Sequence, residues 1–110
     1  IACCGVDGLM LPALAVGARA QVSGNSNAFP GPFRSLYEAY YSEDMEQARY
    51  YQGLINQVRF VLKDGFHPAY FKAALKLQGV PAGRVRPPMR ELTSTELEAM
   101  ERGVKELELI

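Results

Sequence analysis

An α/β unit running directly into a helical tail is the fold class this sequence predicts. Three observations carry it. Short apolar runs at Ile1–Cys4 and Ala20–Val22 each give way to glycine and polar residues, at Gly5-Val6-Asp7-Gly8 and at Ser23-Gly24-Asn25-Ser26-Asn27. A helical pattern follows each run, Leu9–Val16 closed by Gly17, then a helix opened by Pro30. Beyond residue 41 the apolar spacing is helical except across the proline-rich stretch 80–92. The order strand, helix, strand, helix places both polar clusters at the carboxyl ends of strands, the side on which α/β folds bind ligands.

Each element has a local reason. Pro12 falls in the first turn of its helix, where a missing N–H costs little. Pro30 and Pro32 flank the start of the next helix, which runs to about Tyr41 with Phe33, Leu36 and Tyr40 on one stripe. Ser42 reads as an N-cap, with Glu43, Asp44 and Glu46 suited to the positive end of a helix over about 43–63. Met45, Ala48, Gln52, Ile55, Val58 and Leu62 trace its mostly apolar face. Gly53 lies mid-helix at a cost of about 1 kcal/mol against alanine, which predicts close approach of a neighbouring helix. Gly65 ends that helix, and His67-Pro68 opens a shorter one stopped by Gly79. Residues 80–92, with Pro81, Pro87 and Pro88, read as an extended arm. Thr93-Ser94-Thr95-Glu96 has the capping-box pattern, and Leu97, Met100, Val104 and Leu107 line the helix that follows.

Composition narrows the function classes. Hydrophobic residues make up 48% of the chain and charged residues 22%, the profile of a globular protein. Twelve basic and twelve acidic residues cancel, so the basic stripe of a nucleic-acid surface is not expected. No run of 18 apolar residues suggests a membrane span. Cys3 and Cys4 are adjacent, too close for a disulfide framework and too few for a metal site, and are expected to be buried thiols of a cytoplasmic protein.

The order and spacing of several motifs resemble the last two strand–helix units of the pyruvate-dependent Schiff-base lyases. That family includes dihydrodipicolinate synthase, N-acetylneuraminate lyase and 2-keto-3-deoxygluconate aldolase. The resemblance rests on Gly5 and Asp7, the 22-residue interval from Gly5 to Asn27, the Asn27-x-x-Pro30 step, Lys72-Ala73-Ala74-Leu75 and Gly83-Arg84-Val85-Arg86-Pro87-Pro88. It implies the carboxyl-terminal end of a (β/α)8 barrel over residues 1–41 and a three-helix tail over 42–110. A complete barrel takes roughly 250 residues. With 110 residues beginning at Ile1 inside an apolar strand, the chain is expected to be the carboxyl-terminal part of a longer protein. The alternative is a free-standing helical domain with a short strand pair.

The chemistry the resemblance implies is of class I. A lysine forms an imine with pyruvate, the imine loses a proton to become an enamine, and the enamine attacks an aldehyde. In the family the lysine lies on the strand before the one ending at Gly5, and its tyrosine partner lies earlier. No catalytic residue is therefore expected in this chain, and Lys63, Lys72, Lys76 and Lys105 do not match that position. Gly5 would bring bare backbone near the imine, Asp7 would accept hydroxyls of the aldehyde-derived portion, and Val22 would turn a carbonyl toward the lysine. Ser23 and Asn27 would support the loop. For Gly5 and Asp7, a plain turn with an aspartate cap fits the spacing equally well; for Ser23, Asn25, Ser26 and Asn27 a hydrogen-bonded loop is the simpler reading.

Sialic-acid lyases carry a glutamate after the aspartate and a serine in the second loop; here these are Gly8 and Gly24. Dihydrodipicolinate synthases often have an acidic residue before the aspartate, where this chain has Val6. The arginine that would pair a substrate carboxylate lies outside this chain. A dihydrodipicolinate synthase-like condensation of pyruvate with an aldehyde is the first reading, and a 2-keto-3-deoxy sugar-acid aldolase the second. A non-catalytic helical interaction module, or a sensor that kept the Gly5–Asp7 rim without the chemistry, are readings of another class. No cofactor and no metal are implied, and the partners are pyruvate, an aldehyde or 2-keto acid, and further copies of the chain. His67 is expected to cap or lie at the surface, the five tyrosines from Tyr37 to Tyr51 to form packed or subunit contacts, and Arg84, Arg86 and Arg90 to tie the arm to acidic groups.

Overall fold

The structure, a computed structural model, describes residues 1–110. Strands β1 (Cys3–Cys4) and β2 (Ala20–Gln21) pair in parallel, Cys3 opposite Ala20 and Cys4 opposite Gln21. Parallel neighbours need a crossover, supplied by a 3-10 turn over Asp7–Leu9 and helix α1 (Met10–Ala15). The pairing extends through Arg19 N–H to the Ala2 carbonyl (2.9 Å) and Val22 N–H to the Cys4 carbonyl (2.8 Å). Both thiols are free, but Cys3 is exposed and Cys4 only half-buried, contrary to the buried pair expected, because β1 is flanked by a single strand.

Residues read as a polar loop after β2 contain one turn of helix, α2 (Asn25–Ala28). Ser23 seeds it: its hydroxyl accepts from Ser26 N–H at 3.0 Å, and its carbonyl accepts from the Ser26 hydroxyl and the Asn27 amide. Helix α3 (Pro30–Tyr41) has the expected span, and α4 (Met45–Val61) follows. Its N-cap is Asp44, whose carboxylate accepts from Gln47 N–H at 3.1 Å; Ser42 instead closes α3, its N–H bonded to the Glu38 carbonyl. A second 3-10 turn (Lys63–Gly65) leads to α5 (Ala69–Leu77). The arm over residues 80–92 has no helix or strand, and α6 (Ser94–Glu106) carries the full capping box between Thr93 and Glu96.

Two apolar clusters share α4. Met10, Leu14, Phe33, Leu36 and Ile55 form one; Ala28, Phe29, Val58, Leu62, Tyr70, Ala74, Met100 and Val104 form the other. Both draw residues from each side of the Tyr41–Ser42 step. Gly53 faces open space and not a neighbouring helix, whereas Gly103 on α6 sits against Val61, which a Cβ there would meet at 2.9 Å. The radius of gyration is 14.6 Å, above the roughly 13 Å of a compact chain this long. Ile1, Val16 and Val22 remain exposed around the two strands. No helix is long and apolar enough to cross a membrane.

Candidate functional site

A cleft of about 420 Å³ opens at the carboxyl ends of β1 and β2, lined by Gly5, Asp7, Gly24, Asn25, Arg59 and Phe71 among others. A larger groove of about 510 Å³ lies between faces of α4 and α6, away from the strand ends. The smaller cleft is where the sequence placed its candidate residues, and Gly5 and Asp7 both line it.

Asp7 is only 6% exposed and is held by three side chains. Gln21 Nε2 donates to Oδ1 at 2.8 Å; Ser23 Oγ and Asn25 Nδ2 donate to Oδ2 at 2.7 and 2.6 Å. A carboxylate only accepts, so all three groups must present their N–H or O–H to it. The network links the end of β1 to the loop after β2, across the strand pair. It also leaves the Gln21 and Asn25 side-chain oxygens buried and without a partner. No aspartate cap is formed on the turn that begins at Asp7.

The other predicted positions fall around this network. Gly5 is exposed, with nothing near the position of a Cβ. Val22 is exposed, its carbonyl touched only by the Gln21 amide at 3.4 Å. Ser23 joins Asp7 to the first turn of α2, and Asn27 donates to the Ser23 and Gly24 carbonyls at the surface. None of the four lysines lines the cleft. Lys72 donates to the Ala82 carbonyl at 2.7 Å and Lys105 pairs with Glu101. His67 makes no side-chain cap; its ring packs edge-on to Tyr70. Arg90 grips Glu96 through two nitrogens at 2.8 Å, which ties the end of the arm to α6 as expected, whereas Arg84 approaches Glu91 at 3.8 Å within the arm itself and Arg86 makes no ion pair.

Four contributors were not assigned to the site from the sequence. Gln21 sits in a strand with no motif around it. Gln52, on the α4 face, donates to the Asp7 carbonyl at 3.0 Å and accepts from Leu11 N–H at 2.8 Å, fixing the turn from behind. Arg59, two helical turns beyond Gln52 and one beyond Asn56, lies over Gly8 and pairs with Asp64. The 3.6-residue spacing of 52, 56 and 59 is the one signal that could have grouped them. Phe71 of α5 is wedged between two backbones: a Cβ on Gly24 would meet its ring at 2.8 Å and one on Gly65 at 2.6 Å.

A parallel strand pair with a polar cleft at its carboxyl ends and helices behind it has the local arrangement of an α/β protein that binds its ligand at the strand ends. The Dihydrodipicolinate synthetase family matches the chain over residues 1–107. An uncharacterized DapA-like lyase of Halobacterium salinarum is 41% identical over 106 residues, and the 4-hydroxy-tetrahydrodipicolinate synthase of Methanopyrus kandleri is 35% identical. Each alignment covers 96% of this chain and 35% of the relative. The crystal structure of dihydrodipicolinate synthase DapA-2 from Bacillus anthracis superposes with a TM-score of 0.85 at 31% identity, over 92% of this chain and 35% of that one. The chain belongs to the dihydrodipicolinate synthetase family. It spans about a third of the length of the relatives it matches.

Proposed function

We propose that this chain supplies part of the substrate rim of a class I lyase, dihydrodipicolinate synthase-like, in which pyruvate bound as an imine condenses with an aldehyde. The observation that carries this is the family match over residues 1–107 joined to a cleft at the strand ends that holds Gly5 and Asp7 but no lysine. The relatives called 4-hydroxy-tetrahydrodipicolinate synthase favour that activity over a sugar-acid aldolase. In this reading the chain forms the last two strand–helix units of a (β/α)8 barrel and its helical tail. The lone strand pair supports it, since parallel sheets are normally covered on both faces and paired on both sides. The catalytic lysine and tyrosine then lie outside residues 1–110, and the enzyme works in the cytoplasm as a homo-oligomer.

The rim's residues divide the work. Gly5 offers unobstructed backbone at the end of β1, where a flat imine can lie close. Asp7 locks the two strand ends together through Gln21, Ser23 and Asn25 and so fixes the shape of the rim against which the substrate lies. The unpartnered oxygens of Gln21 and Asn25 suit donors from a neighbouring strand or a substrate. Val22 presents its carbonyl at the open end of β2.

The test is intact mass and peptide mapping of the complete protein carrying this segment, after pyruvate and borohydride. A pyruvate adduct on a lysine outside residues 1–110 is expected. An adduct on Lys63, Lys72, Lys76 or Lys105 would overturn the placement of the chemistry, and no adduct would overturn the activity.

A further inference from the structure

We propose that Phe66 is the cover of the strand-end cleft: the turn that carries it swings over the pyruvate imine and keeps bulk water from the enamine. The inference rests on the Schiff-base reading and adds to it a residue of the helical tail.

Phe66 is 93% exposed, yet it lines the cleft together with Gly5, Asp7 and Phe71. A phenyl ring left almost wholly in water beside a cleft gains from any position that buries it. The opposite wall offers that position. Gly5 has no side chain, nothing stands within 4 Å of where its Cβ would be, and the neighbouring Val6 is exposed. The ring can therefore lie on bare backbone at the end of β1.

The turn between the two walls is built as a hinged lip. Lys63, Asp64 and Gly65 all have positive φ (54°, 57° and 76°), a region that residues other than glycine enter where their surroundings hold them and that gathers at functional sites. Two long backbone bonds close it, Gly65 N–H to the Leu62 carbonyl at 3.3 Å and Phe66 N–H to the Lys63 carbonyl at 3.2 Å. Two contacts latch it to α4: the fork from Arg59 to Asp64 at 2.6 and 3.0 Å, and the Lys63 ammonium 5.0 Å over the Phe60 ring. The ion pair is partly in solvent and Phe60 is exposed, so neither contact is strong. Both ends of the lip are fixed, since Leu62 before it and Ala69 and Tyr70 after it are buried. Gly65, bare against the Phe71 ring, gives the hinge a residue with no side chain to clash as it turns.

The reaction has a use for such a cover. The enamine carbon has two fates: it bonds to the aldehyde carbon, or it takes a proton and reverts to the imine, which water hydrolyses to pyruvate and the free lysine amine. Excluding water from the site suppresses the second fate, and closure of a loop on the bound intermediate is a common way to do so. The Asp7 network holds the other wall in place, so the turn is the part that moves.

The experiment uses the complete protein with pyruvate in D2O, before any aldehyde is added. In a covered site the proton taken from the pyruvate methyl group returns to the same carbon; in an open site it is lost to solvent and deuterium takes its place. Phe66→Ala should raise methyl deuteration, per mole of imine trapped with borohydride, roughly 10-fold, the worth of burying one phenyl ring. Trapping itself should be unchanged, and Phe66→Leu, still apolar, should restore most of the wild-type value. An unchanged ratio in Phe66→Ala, or leucine behaving as alanine does, overturns the cover and leaves the lyase reading standing. If Phe66→Ala does not fold, hydrogen exchange of the wild type decides: amides 64–66 should slow once the imine is trapped, and unchanged exchange overturns the cover. If the wild-type protein is not trapped, both readings fall.

Discussion

Asp7 turns both carboxylate oxygens inward, and that has a measurable cost when it is removed. Asp7→Ala strands three donors in or near the interior, each worth about 1–3 kcal/mol when left unsatisfied. The variant should melt several degrees lower and lose the dispersed amide signals of Ser23 and Asn25; an unchanged melting temperature would show that the network carries no stability. Glu96 gives a pH signature. Bonds from the Arg90 guanidinium, then from Thr93 N–H, pull its carboxyl from about 4.5 down to about 2. A carboxyl depressed in the folded state stabilises at pH above its unfolded value and loses that contribution as pH falls through the folded one. The melting difference between wild type and Glu96→Gln should therefore be full above about pH 4.5 and fade toward pH 2; a difference that does not vary with pH would remove the ion pair as its cause. The sequence singled out Asp7 because glycine and aspartate after an apolar run form a compact signal. Gln21 and Asn25 lie 14 and 18 residues away from it, and only the strand pairing brings them to it.

Helix ends show how far local reading reaches. The capping box of α6 was legible because Thr93 and Glu96 satisfy each other within one turn. The start of α4 was displaced by two residues, since Ser42, Glu43 and Asp44 are all acceptable near a cap and Glu43 adopts φ 60° to leave α3 first. The turn at α2 was missed because its four residues carry no apolar period. Glycines on the two packed helices separate cleanly. Gly53→Ala, on an open face, should stabilise by about 0.5–1 kcal/mol. Gly103→Ala should destabilise by about 1–3 kcal/mol, because Val61 must move. Chemical denaturation of the pair reads both signs; the same sign for both would mean that α4 and α6 pack differently.

The molecule as a whole leaves its sheet unfinished. Two strands of two residues each, exposed Ile1, Val16 and Val22 beside them, and a thin shared core make a surface that parallel sheets normally bury. The 110-residue chain by itself should bind a hydrophobic dye and elute above its 12.2 kDa monomer mass; a dye-silent monomer would show that the strand pair is sufficient alone. The fold class could be read from the sequence because each strand–helix step is local, whereas the network around Asp7 joins residues far apart in the chain. The wedge of Phe71 between Gly24 and Gly65 carries its own consequence. A ring clamped by two backbones can flip only when they part, so the flip rate seen in its aromatic NMR line shape becomes a clock for the breathing of the rim against the tail.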